Sequence, residues 1–241
     1  MRIIRVKNYE ELSRRAANLF LAQIAMKPDA VLGLATGGSP VGTYREMVAA
    51  YEKGDVDFSE VTTINLDEYR GIPKKHEQSY WYFMQEHLFE HVNVRADHIF
   101  IPNGEDQDGE RACREYDQLI KRVGGIDMQL LGIGLDGHIG FNEPADCFEI
   151  NTHLVNLTDS TIEANKRFFH SRDEVPKQAY TMGIRPIMQA KKVVMIASGQ
   201  QKASILKKAF TGPVTSTVPA SILQIHPDFT LIADEEALLE M

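Results

Sequence analysis

Long apolar runs are missing from this chain of 241 residues, and none approaches the ~20 residues a membrane span needs. Cysteine is scarce: Cys113 and Cys147 alone cannot supply a disulfide framework, and a reducing cytoplasm is the expected compartment. No basic run exceeds a few residues. Acids outnumber bases 34 to 26, for a formal charge of −8, whereas non-specific nucleic-acid binding needs a positive footprint. The opening MRIIRVKNYEEL has no apolar stretch and turns acidic at once, so no secretory signal is expected. There is no internal repeat, low-complexity tract or Pro/Ser-rich linker, which makes residues 1–241 one expected domain. The rest is ordinary: 43% hydrophobic and 25% charged, enough to bury a core. An anionic ligand must then be held by a few placed cations and backbone dipoles against the net field.

Short β-branched runs alternate with longer helical periodicity, which predicts an α/β fold: a doubly wound, mainly parallel sheet with helices on both faces. Strands are expected at Ile3–Val6, Val31–Leu34, Val61–Leu66, Ile99–Ile101, Met128–Ile133, Val193–Ala197 and Phe229–Ala233, with a further segment at Thr152–Leu157 beyond a long loop. Asn8 with Glu11 three residues on forms a capping box, and Leu12, Ala16, Phe20 and Ile24 keep one apolar helix face. Further helices are expected at Val41–Tyr51, Ser79–Leu88, Gly109–Val123, Ser160–Phe169 and Gln201–Phe210, with a helical turn at Ala220–Ile225.

Polar punctuation falls just after the strands. Thr36-Gly37-Gly38-Ser39, Asp67-Glu68-Tyr69, Asp136-Gly137-His138 and Ser198-Gly199-Gln200-Gln201-Lys202 would all share one sheet edge, where ligands bind in open parallel sheets. Thr36–Ser39 has the glycines, hydroxyls and following helix of a phosphate cradle. It also fits an ordinary turn with Ser39 as cap and Pro40 at the first helical position. Of the adjacent acids, one can face the crevice: Asp67 is then available for proton transfer, and Glu68 serves the surface or a supporting role. In the loop from Gly132 to Pro144, Asp136, His138 and Glu143 lie within eight positions, and a His held by a carboxylate can act as a general base. Lys202 and Arg167 are candidate anion clamps.

Two motifs mislead. Gly132-x-Gly134-x-x-Gly137 matches the dinucleotide fingerprint, but Gly140 and Pro144 follow where a helix is required, so a nicotinamide cofactor is rejected. His87-Leu-Phe-Glu90-His91 matches a zinc-protease pattern, yet it closes an aromatic packing helix and lacks a third ligand. The histidines at 76, 98, 153, 170 and 226 form no ligand-spaced cluster, and Cys113 is expected to pack in its helix.

Five segments in order, Leu34–Pro40, Asn65–Tyr69, Gly134–Pro144, Asn165–Phe169 and Ser198–Lys202, closely resemble the glucosamine-6-phosphate deaminase family from the first strand to the last. The resemblance implies isomerisation coupled to deamination: glucosamine 6-phosphate and water give fructose 6-phosphate and ammonium. It implies ring opening by His138, with Asp136 and Glu143 tuning and orienting it, and C2-to-C1 proton transfer by Asp67. The phosphate would lie against Thr36, Gly37, Gly38 and Ser39, balanced by Arg167 and Lys202. No metal and no organic cofactor are implied, and neither nucleic acid nor membrane is an expected partner. The related 6-phosphogluconolactonases share an Asp-Gly-His loop but typically continue toward Leu-Phe-Pro and lack the Asp-Glu-Tyr segment. A non-catalytic sugar-phosphate sensor is the third possibility, and it would be expected to lose the catalytic groups.

Longer family members carry a C-terminal extension and form hexamers regulated by N-acetylglucosamine 6-phosphate. This chain stops at Met241 and has His153 and Val155 where regulated members present basic residues. Weak or absent allostery and a monomer or small homo-oligomer are expected. Thr158–Phe169 is expected to act as a lid delivering Arg167.

Overall fold

The computed structural model describes residues 1–166, 169 and 171–241. The chain opens with β1 (Arg2–Val6), α1 (Tyr9–Met26), β2 (Val31–Leu34), α2 (Val41–Glu52) and β3 (Thr62–Asn65). After β4 (Asp67–Tyr69) come α3 (Tyr80–His87), β5 (Ile99–Phe100), α4 (Gly109–Arg122), β6 (Met128–Leu131), β7 (His153–Asn156) and α5 (Asp159–Asn165). It closes with β8 (Gln178–Thr181), α6 (Ile184–Gln189), β9 (Lys192–Ala197), α7 (Ala203–Thr211) and β10 (Phe229–Asp234).

Seven strands form one sheet in the order β1-β10-β9-β6-β2-β3-β5, and every pairing in it is parallel. The period-two alternation of the central strands divides their side chains between two cores. Val193, Met195 and Leu231 join Tyr116, Ile120, Ile187, Leu206 and Phe210 of α4, α6 and α7 on one face. Val194, Ile196 and Ile232 join Leu12, Phe20, Tyr44, Met47 and Met84 of α1, α2 and α3 on the other. The doubly wound reading therefore holds.

Asn8 caps α1 by accepting the Glu11 N–H at 3.0 Å, and the Glu11 carboxylate reaches back to the Lys7 N–H at 3.0 Å. At the N-terminal edge of the sheet, the buried Asp127 carboxylate takes Lys27 Nζ at 2.6 Å, Lys191 Nζ at 2.7 Å and the Val31 N–H at 2.8 Å.

A second sheet, absent from the sequence reading, pairs β4, β8 and β7 in that order, with both pairings antiparallel. Its own core holds Tyr69, Phe141, Leu157, Ile162 and Val175. Only Leu66 separates β3 from β4, so the chain passes from the parallel sheet to the antiparallel one within a single residue. Three expected boundaries move. The helix expected over Ser160–Phe169 is α5, capped by Thr158 and ending at Asn165. A 3-10 turn over Gln200–Lys202 precedes α7. The helical turn near Ala220 is a 3-10 segment over Pro219–Ile225. Among the described residues, no helix is long and apolar enough to cross a membrane.

Candidate active site

A cavity of about 420 Å³ opens between the C-terminal edge of the parallel sheet and the antiparallel sheet, within the range of small-ligand sites. Thr36–Ser39, Asp67, Asp136, His138 and Lys202 all line it, so residues far apart in sequence converge as expected from strand polarity.

The loop after β2 is braced from behind. Tyr44 Oη donates to the Ala35 carbonyl and accepts its N–H at 3.1 Å. Tyr9 Oη accepts the Gly42 N–H at 2.8 Å and shares its proton between the Gly38 and Ser39 carbonyls. Gly37 turns the chain at φ +88, a region open to glycine at little cost. The alternative of Ser39 as helix cap is corrected here: Pro40 is the cap residue of α2, and no side chain fills that role. With no side-chain cap, the helix's positive end is available for a ligand.

Asp67 and Glu68 separate as alternating strand residues do. Glu68 is buried rather than on the surface, and accepts the N–H groups of Tyr69, Tyr80 and Trp81 at 2.8–2.9 Å, tying β4 to the start of α3. Burial pushes its carboxyl up to about 7 against the pull of those N–H groups. Asp67 faces the cavity at 6% exposure, and burial, then the Glu68 charge, push its carboxyl up to about 8. A desolvated carboxyl of this kind matches the requirement of a general base working near neutral pH.

Beyond β6 the glycine-rich loop folds over its own histidine. His138 Nδ1 lies 2.7 Å from Asp136 Oδ1, which also accepts the His138 N–H at 3.1 Å. The two atoms are in close contact, but Nδ1 does not meet hydrogen-bond geometry with the oxygen. Burial raises the Asp136 carboxyl, but contacts with His138 outweigh it and hold it below its ordinary value. Gly134 makes room for the ring: a Cβ there would sit 2.3 Å from His138 Nδ1 and Cε1. The segment after Gly137 continues as a tight turn bridged between Ile139 and Asn142, with no helix at the third glycine.

On the far wall, Asp234 accepts hydrogen bonds from Ser198 Oγ and the Gly199 N–H, fixing the turn that leads to Lys202. Lys202 Nζ donates to the Ile133 carbonyl at 2.7 Å, which holds its ammonium at the end of β6 beside the cavity.

Glu143 does not line the cavity. Its Oε1 accepts Thr161 Oγ1 at 2.6 Å and the Thr158 N–H at 3.4 Å, and its Oε2 is buried without a partner among the described residues. It therefore joins the glycine loop to α5, and among the described residues it makes no hydrogen bond to His138. Arg167 and part of the Thr158–Phe169 segment lie outside the described residues. Sequence reasoning missed Tyr80, Phe141, Thr161 and Asn165, which also line the cavity. Tyr80 was hidden in a run of aromatics that reads as packing, and its hydroxyl lies against Thr36 and Tyr69. In the misleading zinc pattern, His87 packs edge-on against Phe83, and His91 Nε2 meets the Glu86 carbonyl at 2.8 Å. Among the described residues, no three His, Cys, Asp or Glu side chains are grouped to hold a metal ion.

Comparison with known proteins agrees with this geometry. Residues 7–231 match the family model of glucosamine-6-phosphate isomerases/6-phosphogluconolactonase. A glucosamine-6-phosphate deaminase of Lachnoclostridium phytofermentans is 56% identical over 96% of this chain and 98% of its own length. One from Thermoanaerobacter pseudethanolicus is 51% identical over 98% of this chain and 94% of its own. Among solved structures, a monomeric glucosamine-6-phosphate deaminase superposes with a TM-score of 0.97 at 44% identity, covering all of both chains. The 6-phosphogluconolactonase of Trypanosoma brucei, at 17% identity and a TM-score of 0.74 over 100% of this chain and 98% of that one, shares the fold. The chain belongs to the glucosamine-6-phosphate isomerase/6-phosphogluconolactonase family and, within it, to the glucosamine-6-phosphate deaminases.

Proposed function

We propose that this protein converts glucosamine 6-phosphate and water into fructose 6-phosphate and ammonium, acting as a single domain over residues 1–241. The observation that carries this reading is Asp67, a cavity-facing carboxyl with a raised proton affinity, in the same cavity as the His138–Asp136 pair and the Thr36–Ser39 loop. Hydrolysis of a lactone needs a base near the carbonyl but no second base to move a carbon-bound proton. Aldose–ketose conversion needs both.

In this reading the phosphate sits on the N–H groups of Thr36–Ser39 at the open end of α2, with Lys202 opposite and Arg167 completing the clamp. Its binding energy positions the C1–C2 end of the sugar against the carboxyl. His138, held by Asp136, takes the proton of the anomeric hydroxyl and returns one to the ring oxygen, opening the pyranose. Asp67 then takes the C2 proton and delivers it to C1 through an enolamine, and water hydrolyses the resulting ketimine to release ammonia. Glu143 acts through the Thr158–Thr161 cap of α5, which brings Thr161 and Asn165 to the cavity. We place the enzyme in the cytoplasm, as a monomer or small homo-oligomer with weak or absent allosteric activation.

The test is ammonium release from glucosamine 6-phosphate by chelator-treated protein, with Asp67→Asn alongside. Release by the wild type and its loss in the variant are expected. Folded wild-type protein that releases none, while opening a sugar-acid lactone phosphate, overturns the reading.

A further inference from the structure

Thr181 touches no solvent and does not line the cavity, yet both catalytic elements come to it. It ends β8 directly opposite Asp67 in the antiparallel pair, and directly opposite residues of such a pair carry their side chains on the same face, ~5 Å apart at Cβ. Its Oγ1 accepts the N–H of Phe141 at 3.1 Å, from the loop that carries His138. The point where Gly140 would carry a Cβ lies 3.0 Å from Thr181 Oγ1 and 3.3 Å from Asp67 Oδ2. Hydroxyl and carboxylate therefore flank the same small space, which a glycine at φ +59 keeps open.

The next residue repeats the pattern through the backbone. Met182 donates its N–H to the Leu66 carbonyl at 2.7 Å and accepts Asn142 Nδ2 at 2.8 Å. The end of β8 is thus a common abutment for Leu66–Asp67 on one side and Gly140–Asn142 on the other. A threonine hydroxyl has one proton to give and can accept as well. The Phe141 N–H occupies the Thr181 oxygen, the hydroxyl proton goes to no acceptor among the described residues, and the Asp67 carboxylate is the charged group beside the space the two share. Valine has nearly the same shape and can do neither.

We propose that Thr181 is a positioning residue for the deamination, its hydroxyl holding the Asp67 carboxylate and the Gly140–Phe141 turn in one fixed relation. The proposal rests on Asp67 being the base that moves the C2 proton. Thr181 itself touches no reacting atom. Its effect is on where Asp67 stands and on how strongly it holds its proton.

The experiment compares Thr181→Val and Thr181→Ser in wild-type and Asp67→Asn backgrounds, by steady-state ammonium release across pH with thermal melts as the check on folding. In the valine variant kcat is expected to fall about 100-fold with KM nearly unchanged, as for a misplacement of ~1 Å. The ascending limb of its kcat/KM profile is expected to move up by about one pH unit, because a donor to the charged form is lost. Serine restores both, and in the residual turnover of Asp67→Asn, read at high enzyme concentration, the valine effect vanishes. Thr181→Cys, which keeps the volume but is a weaker hydrogen-bonding group, replaces valine if the latter does not fold. Wild-type kcat and an unmoved limb in folded Thr181→Val, or a serine variant as impaired as valine, overturn the proposal. So does a valine effect that persists in full in Asp67→Asn. Full turnover by Asp67→Asn alone overturns the base assignment instead, a failure visible without any Thr181 variant.

Discussion

Replacing Asp67 by asparagine removes a proton acceptor and, with it, a buried charge, so activity and stability should move in opposite directions. Burial and the Glu68 charge raise the Asp67 carboxyl to about 8 in the folded protein, while in the unfolded chain it titrates near an ordinary ~3.9. A group whose folded value is raised keeps its proton in the native state after the unfolded chain has lost it. Its contribution is intact below pH ~4, declines as pH rises, and levels off above ~8. Each pH unit in that window costs ~1.4 kcal/mol, on the order of 5 kcal/mol across it. Asparagine has nearly the same shape and no such slope. Glu68 titrates in both proteins, so the difference between the two stability curves reports Asp67 together with its coupling to Glu68. Urea midpoints at pH 5, 7 and 9 should show the variant gaining on the wild type from the first to the last. Turnover should fall ~100- to 10,000-fold, the range for a lost general base. Parallel stability curves would refute the burial argument, whatever the activity does.

Three other perturbations separate the parts of the site. Gly134→Ala places a methyl 2.3 Å from the His138 ring. Because the ring must swing away, kcat/KM should fall ~100-fold in a protein whose circular dichroism is unchanged. Asp234→Ala strips the Ser198 hydroxyl and the Gly199 N–H of their acceptor. KM should rise about tenfold and inorganic phosphate should bind more weakly in calorimetry, while the melting temperature drops by roughly 5–10 °C for ~2–3 kcal/mol. His226 is buried far from the cavity, its Nε2 meeting the Ala190 carbonyl at 2.9 Å and its Nδ1 accepting the Asp228 N–H at 3.1 Å. His226→Phe should lower the melting temperature through ~1–3 kcal/mol of unpaired polar groups, with kcat and KM unaltered.

The parallel sheet was legible because its strands are continuous apolar runs separated by amphipathic helices, and both periodicities are printed in the residues. Strand polarity then sufficed to bring Thr36–Ser39, Asp67, His138 and Lys202 to one edge. The antiparallel sheet was not legible for a physical reason. Asp67-Glu68-Tyr69 is a three-residue strand with two acids, and only its pairing with Gln178–Thr181 makes it a strand at all. The burial of Glu68 was equally hidden, since nothing local says that a helix N-terminus 12 residues on will supply its donors. Asp136 and His138 sit two apart, and their pairing could be read directly. Glu143 belongs to the same loop, but a tight turn at Gly140 sends it toward α5, a change of direction that spacing alone does not encode.

The one-residue step at Leu66 makes the cavity a seam. One bank, with the Thr36–Ser39 loop, His138 and Lys202, is anchored in the large sheet. The other, with Asp67 and the aromatic cluster around Tyr69, is anchored in the small one. The reaction thus depends on how two separately cored layers are registered, more than on the integrity of either. A substitution under the small sheet can blunt turnover while the large core melts unchanged, so thermal stability is a poor proxy for fitness here. Conversely, with the phosphate site as proposed, the large bank can keep gripping sugar phosphates after the small one has drifted. Loss of chemistry before loss of binding is the failure mode built into this architecture.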